Sequence, residues 1–444
     1  DVMKTLRQLH HTGNNETIPY SCPAKSYADS QWYGLKESHY PPPFLRFASY
    51  LYGQPPQLLS TQQGPHKICT APTTHSDYTD GTNPSILLVR RLQQELNSEM
   101  YPKVPWKDFP EARYLVTTTF KKNHQCFVDH HKPSKDARRG REAKEADLLL
   151  LDDNSNTLWT SHIWDVRTQE HYVADDVRLF VYNSEVWISY KRYKVDLGPD
   201  INPKTQRINR LTFGYQGYQL VALVDSAREI ELCCGRNFGA LPDIHTSNDG
   251  GEEKAMPDLS FLTWPDPVWV PTVDMKRAKN LQHITLEEPP SHLQQLATSN
   301  FHGTSNQLLY VKEWNEYLGI GHIHRDRRWD DQGKDSPDAK FGHHYTHAFF
   351  TIQSVDDKFR LARTSAEFLF PSASNPQDAE IIQFASGLEW SENGKDIVIT
   401  YGVNDCESFL VKVDWKTIES MLQTIRPGLQ VTQVLRGAAE AWKN

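Results

Sequence analysis

Residues 382–411 read IQFASGLEWSENGKDIVITYGVNDCESFLV. Two apolar strands are joined here through the turn Glu392-Asn393-Gly394-Lys395, so the stretch reads as a β-hairpin. Ala385, Ser386 and Gly387 leave space beside the backbone. Asn404, Asp405 and Glu407 follow a strand rich enough in Ile, Val and Tyr to be buried. Carboxylates in such a place need partners, or a polar ligand such as a sugar. The stretch therefore points to a site at the end of a sheet.

Weaker versions of the same pattern recur along the chain. Five times a small or polar cluster opens an apolar strand, a turn follows, and a second strand ends in a Tyr-rich or Gly-rich segment. The units begin at Asn83-Pro84-Ser85, Asp175-Asp176-Val177-Arg178, Leu211-Thr212-Phe213-Gly214, His302-Gly303-Thr304-Ser305-Asn306 and Ala385-Ser386-Gly387. Strands are predicted at 85–89, 114–120, 177–181, 186–190, 220–224, 308–311, 317–322, 348–352, 397–401 and 409–413, although 87–96 also carries a helical pattern. The spacing is uneven, which suits five irregular blades with long insertions. A decorated β-sandwich is the rival, but it gives no reason for polar clusters to recur at strand starts.

The expected architecture is all-β, a five-bladed β-propeller over residues 81–415. An irregular N-terminal extension, residues 1–80, packs on the core, and a short helical tail occupies 416–444. The extension is rich in Pro, His, Gln and Thr, with short helices possible near Leu6 and at 44–51. Tail helices are expected at 416–425 and 434–442. The charged run 132–146 reads as a solvated loop, as do the polar stretches 241–260 and 325–341.

A chain of 444 residues, 38% hydrophobic, can bury a large core. Its net charge of -8 argues against a nucleic-acid partner, which would draw a basic face. Twelve Trp and nineteen Tyr suit sugar stacking, though most serve packing. No apolar run reaches the ~20 residues of a membrane helix. A membrane anchor N-terminal to Asp1 is left open. Cys22, Cys69, Cys126, Cys233, Cys234 and Cys406 lack metal-type spacing, and their even number permits disulfides. With the sequon Asn15-Glu16-Thr17 they tilt the expected location toward the secretory lumen, Golgi-like, or the exterior.

Five segments occur in an order that resembles one superfamily: NPSIL at Asn83, DDVRLFVYNSEVWISY at Asp175, KNL at Lys279, HGTSNQLLYV at His302 with YLGIGH at Tyr317, and YGVND at Tyr401. They look like the five-bladed β-propeller enzymes that include the β-mannoside phosphorylases and the β-1,2-mannosyltransferases, over about residues 80–415. In that family a Glu-Asp-Pro-Arg motif supplies the catalytic Asp. The resemblance aligns Asp176 with it and Arg178 with the motif's Arg, while Asp175 and Val177 replace the Glu and Pro. A Tyr-Gly-Ala-Ala-Asp segment of the family resembles 401–405 and implies that Asp405 contacts a sugar hydroxyl.

An inverting transfer at a sugar carbon needs a group that handles the proton and a nucleophile on the opposite face. Asp176 is the expected catalytic carboxylate. The alternative is a plain ion pair with Arg178, its period-2 neighbour on the strand. Asn83, Arg178, Lys279, His302, Thr304, His344, Ser386 and Asp405 are expected to bind substrate. Arg178, Lys191, Arg192, Arg210, Lys279 and His302 could all face phosphate, with Lys191 and Arg192 the more natural surface charges. Hydrolysis would need a second carboxylate, for which Asp405, Glu407 and Glu389 are candidates. His322 and His324, or His343, His344 and His347, complete no known metal motif, so neither a metal nor another cofactor is expected. His344 and His347 instead read as hydrogen-bonding groups near the mouth. No nucleophile elbow, P-loop or dinucleotide fingerprint is present. The leading expectation is an inverting, mannosyltransferase-like glycosyltransferase. Its partners would be an activated donor, a nucleotide sugar or sugar phosphate, and a glycan acceptor. A phosphorylase or hydrolase of β-mannosides, and a non-catalytic sugar-binding propeller, are the alternatives.

Overall fold

The computed structural model describes residues 57–68, 81–121, 144–192, 205–232, 237–242, 258–266, 268–281, 283–284, 301–325, 344–356, 358–373, 379, 383–403 and 407–425. They form a five-bladed β-propeller. Blade I pairs Thr82–Leu88, Tyr114–Lys121, Lys144–Leu151 and Thr157–Asp165 as an antiparallel meander. Blade II does the same with Asp175–Tyr182, Glu185–Arg192, Thr205–Arg210 and Ile230–Leu232. Blade III is small, built from Gly239–Ala240, Leu259–Leu262 and Thr272–Val273. Blade IV sets Phe301–His302 and Leu309–Val311 against Glu316–Arg325, followed by His344–Val355 and Lys358–Thr364. Blade V, the stretch first read in the sequence, comprises Gln383–Trp390, Asp396–Val403 and Glu407–Asp414.

Blade V takes its outer strand from the other end of the chain. Gln63–Lys67 pairs antiparallel with Glu407–Asp414, and Gln57–Leu58 runs parallel to Phe368–Leu369. The last third of the expected 1–80 extension thus adds strands to the ring instead of only packing on it. Lys67 reaches Glu407 at 2.8 Å, with both side chains buried, which joins the closing strand to the blade through a buried ion pair. This answers the question posed by a carboxylate in an apolar strand: Glu407 is partnered within the protein.

The alternation along each strand feeds separate apolar layers between neighbouring blades. One layer gathers Leu115, Leu148 and Leu150 of blade I with Val177, Leu179 and Ile188 of blade II. Another joins Ile320 and Phe349 of blade IV to Leu388, Ile399 and Val411 of blade V. A third packs Ile86, Val116 and Leu149 against Val398 and Leu410, sealing blade I to blade V.

Several expectations need correction. The unit at Leu211 is not a blade. Thr212–Gln216 and Gln219–Val224 form a hairpin whose second strand lies parallel to Thr157–Asp165, extending blade I at its rim. The third inner strand starts instead at Asn237-Phe238-Gly239, where its polar-then-apolar pattern is only a few residues long. The helical reading of 87–96 and the strand reading of 85–89 are both right in part: Thr82–Leu88 is a strand and Val89–Glu95 a helix. The charged run does not stay loop to Ala146, because Glu145 and Ala146 belong to strand Lys144–Leu151. The tail helix is shorter than expected, Trp415–Met421, and gives way to Gln423–Thr424. The helices at Leu6, 44–51 and 434–442, the sequon and all six cysteines lie outside the described residues. No described helix is long and apolar enough to cross a membrane.

Candidate active site

The inner strands share an irregularity. In blade I the register slips between Thr82 and Ser85, in blade II between Asp175 and Arg178, and in blade V between Ala385 and Gly387. Asn83 and Asp176 stand in the first two bulges with φ of 50° and 51°; Asn237 (61°) and Gly303 (72°) take the same left-handed turn in blades III and IV. Asn, Asp and Gly are the residues that tolerate this region, which is why the repeating clusters are made of them. A non-glycine residue held there stores roughly 1–3 kcal/mol of strain, a feature that concentrates at functional sites. The bulge also explains why period-2 reasoning failed locally: an extra residue separates Asp176 from the face that carries Arg178.

Asp176 is held by two side chains. Asn83 Nδ2 donates to its Oδ1 at 2.6 Å, and the Lys191 ammonium pairs with its Oδ2. Lys191 sits across the hairpin, registered opposite Asp175. It is buried, contrary to the expectation of a surface charge, because the bulge swings Asp176 over it. Asp176 retains 14% side-chain exposure. A carboxylate fixed from two sides, charge-compensated and still reached by solvent, is equipped to take a proton from a bound hydroxyl or to give one to a leaving oxygen.

Arg178 has a different task from the ion pair considered in the sequence. It is among the largest fully buried side chains, its Nη1 donates to the Thr304 carbonyl and its Nη2 to Asn237 Oδ1 at 3.0 Å. Burial pulls its pKa down to about 10, with the nearby Asp176 charge opposing the shift, so it stays a cation at neutral pH. Its guanidinium lies 5.8 Å from the Phe384 ring centroid. Blades I to V thus converge at one end of the ring through Asn83, Asp176 with Arg178 and Lys191, Asn237, Thr304 and Phe384. The Thr304 hydroxyl and Arg178 Nε are buried there with no hydrogen-bond partner among the described residues.

Beneath this cluster the axis is closed by Asn306. Its Nδ2 donates to the carbonyls of Ile86 (2.9 Å) and Leu179 (2.7 Å), and its Oδ1 accepts from Leu388 N–H at 3.0 Å. Its own N–H donates to Ser386 O, and its carbonyl accepts from Ala240 N–H. One blade IV residue therefore bonds to every other blade.

The remaining sequence candidates fall into three groups. Ser386 is fully buried and its hydroxyl donates to the Pro84 carbonyl at 2.6 Å, so it links blades V and I beside the site. Arg210 pairs with Glu185 at 2.9 Å. Glu389 accepts from Gln307 Nε2 at 3.0 Å and lies 3.5 Å from Arg91, with burial pushing its carboxyl up against the opposing Arg91 charge. His347 is buried, its Nε2 accepting from Ala385 N–H at 3.1 Å, and burial pulls its pKa down to about 3. It is a neutral structural acceptor with its proton on Nδ1. Lys279 lies in helix Met275–Leu281, His302 in strand Phe301–His302 and His344 at the start of His344–Val355; their side chains, that of Arg192, and the whole of Asp405 lie outside the described residues. His302 is in register with His322, which is in register with His347. Gly402, beside the Asp405 segment, is required to be glycine by close approach: a Cβ there would stand 2.6 Å from Asn83 Oδ1. Asn237, Asn306 and Phe384 are site residues that the sequence did not single out, and Lys191, a candidate phosphate-facing cation there, instead pairs with Asp176. Asn306 was visible only as the last residue of the cluster that opens at His302, and Asn237 lay in none of the five clusters.

No protein-family profile and no curated protein matches the chain. Solved structures do. One is a GDP-Man-dependent mannosyltransferase from Leishmania mexicana, 10% identical, covering 80% of this chain and 90% of that one at a TM-score of 0.41. Another is a β-1,2-mannobiose phosphorylase from Listeria innocua, 9% identical, covering 80% and 96% at 0.44. A mannose phosphorylase from Leishmania mexicana is 10% identical, covering 83% and 92% at 0.42. These proteins fall in the group that the sequence motifs resemble. Identities near 10% carry no statement about activity.

Proposed function

We propose that this propeller is an inverting glycosyltransferase, mannosyltransferase-like, acting between an activated sugar and a glycan acceptor. The observation that carries the reading is Asp176, strained into the inner strand of blade II and gripped by Asn83 and Lys191 where all five blades meet. In the reaction Asp176 accepts the proton of the acceptor hydroxyl as that oxygen bonds to the anomeric carbon and the donor's phosphate departs from the opposite face. Asn83 and Lys191 fix the carboxylate's direction, and the cations Lys191 and Arg178 offset the negative charge that gathers around a phosphorylated donor.

Transfer is favoured over hydrolysis by the carboxylates. Glu389 and Glu407, the described candidates for activating water, are held by Gln307 and Arg91 and by Lys67. Phosphorolysis is the second reading, favoured by the same two cations, since inorganic phosphate in place of the acceptor would need them. The sequon at Asn15 supports a lumenal or secreted setting. Incubation with GDP-mannose, with mannose 1-phosphate and with manno-oligosaccharides plus phosphate, followed by mass spectrometry, separates the readings. Chain extension from an activated donor supports transfer, and phosphate-dependent shortening supports phosphorolysis. Binding without turnover would overturn both.

A further inference from the structure

Away from the propeller axis, three outer segments of blade I bring an unusual set of side chains together. Glu145 and Asp147 lie two apart on one face of strand Lys144–Leu151. Asp147 is in register with His162 on the next strand, and Val173 forms a β-bridge with Glu145, bringing His171 alongside. The His162 and His171 rings are 4.1 Å apart between centroids, inclined by 35°. The Trp164 ring meets the His171 ring edge-on at 4.4 Å.

We propose that Glu145, His162 and His171 form a binding site for a divalent transition metal of the zinc type. One donor atom from each of the three lies within 4.8 Å of the others, and His171 Nδ1 stands 3.1 Å from Glu145 Oε2. Ligands of a tetrahedral zinc ion, at ~2.0–2.1 Å from it, lie about 3.4 Å from each other. Small rotations of half-exposed side chains close that difference. Two imidazoles and one carboxylate are a borderline-soft set suited to zinc, copper or nickel and poorly suited to calcium or magnesium.

Asp147 makes the arrangement more than a chance pair of ion pairs. It is almost fully buried, at 4% side-chain exposure, and hydrogen-bonds His162 Nδ1. That fixes the ring's tautomer and turns Nε2 outward as the metal-facing nitrogen, the carboxylate-histidine-metal relay that orients ligands in zinc sites. His162 and His171 each keep about a third of their side chain exposed, which leaves a route for the ion and room for a water as fourth ligand. The site also has a place in the architecture. His171 precedes Asp176 by five residues, so a metal bound here ties the segment entering blade II to two strands of blade I.

The test uses the full chain, stripped with a chelator, dialysed against zinc alone and counted by elemental analysis, with cobalt substitution as a second probe. One zinc per chain is expected, together with the intense visible absorption of tetrahedral cobalt. His162→Ala with His171→Ala should weaken zinc binding more than 100-fold, and Asp147→Leu by about 10–100-fold, because His162 Nδ1 then has no carboxylate to orient its ring. Glu145→Gln, nearly isosteric, guards against misfolding in the histidine variants and should weaken binding while leaving the far-ultraviolet dichroism unchanged. Failure to retain zinc, or retention unaffected by the paired histidine substitutions and by Glu145→Gln, would overturn the proposal.

Discussion

Replacing Asn306 with Leu tests whether the axis of the propeller is held by one amide. The substitution removes two hydrogen bonds donated to Ile86 and Leu179 carbonyls and one accepted from Leu388 N–H, all buried, while keeping a side chain of comparable size. Each such bond contributes ~0.5–1.5 kcal/mol net, and a group left unsatisfied costs ~1–3 kcal/mol. Three bonds at that net worth sum to about 1.5–4.5 kcal/mol. Spread over the ~360 residues from Gln63 to Ile425, an unfolding entropy of ~2.1 cal/mol/K per residue converts this to a fall in Tm of about 2–6 °C. Scanning calorimetry of both proteins measures it. The backbone bonds of Asn306 to Ser386 and Ala240 survive the change, so the fold should persist at lower stability. A variant melting within 1 °C of the parent would refute the assignment of Asn306 as the tie between blades.

Other consequences follow from buried polar groups. His347 should make the protein acid-sensitive: its pKa is about 3 when folded against 6.5 unfolded, so its contribution is complete above about pH 6.5 and is lost as the pH falls toward 3. At ~1.36 kcal/mol per unit, His347→Gln, whose amide oxygen can still accept from Ala385 N–H, should flatten the stability profile by about 2–3 kcal/mol between pH 6.5 and 4.5, read from urea midpoints. Equal acid slopes in the two proteins would contradict the buried neutral imidazole. Lys67→Met leaves Glu407 buried without its cation and should cost ~3–5 kcal/mol, loosening the closing strand of blade V. Hydrogen exchange should then rise first in Gln63–Lys67 and Glu407–Asp414, and uniform exchange across the ring would argue against the closure described here.

The fold was legible where chemistry repeats. Asn83, Asp176 and Gly303 announced inner strands because only a few residue types accept the left-handed turn that each bulge imposes. Blade III escaped notice since its strands are two to four residues long and give no alternation to read. The hairpin at Thr212–Gln216 was mistaken for a blade because local pattern cannot say which neighbour a strand will pair with. Strand Lys144–Leu151 was hidden by its charged start and a run of four leucines, buried on both faces and so without alternation. In the site, Asp176 and Arg178 were named from motif order, but their relation was misread, because a one-residue bulge reverses which side chains share a face. Lys191 was a candidate phosphate-facing cation with a surface position favoured, because lysines are seldom buried. Only the hairpin register places an ammonium against the carboxylate.

The central claim is that Asp176 moves the proton. Asp176→Asn preserves size and leaves an amide oxygen that Asn83 or Lys191 can still donate to, so the fold should persist, at a stability lowered by the loss of the buried Lys191 ammonium's counter-charge. Its turnover with whichever activated donor the parent uses should fall by about 10²–10⁴-fold, the range spanned by general acid–base groups. A folded Asp176→Asn protein that transfers sugar at the parent's kcat/KM would contradict the account.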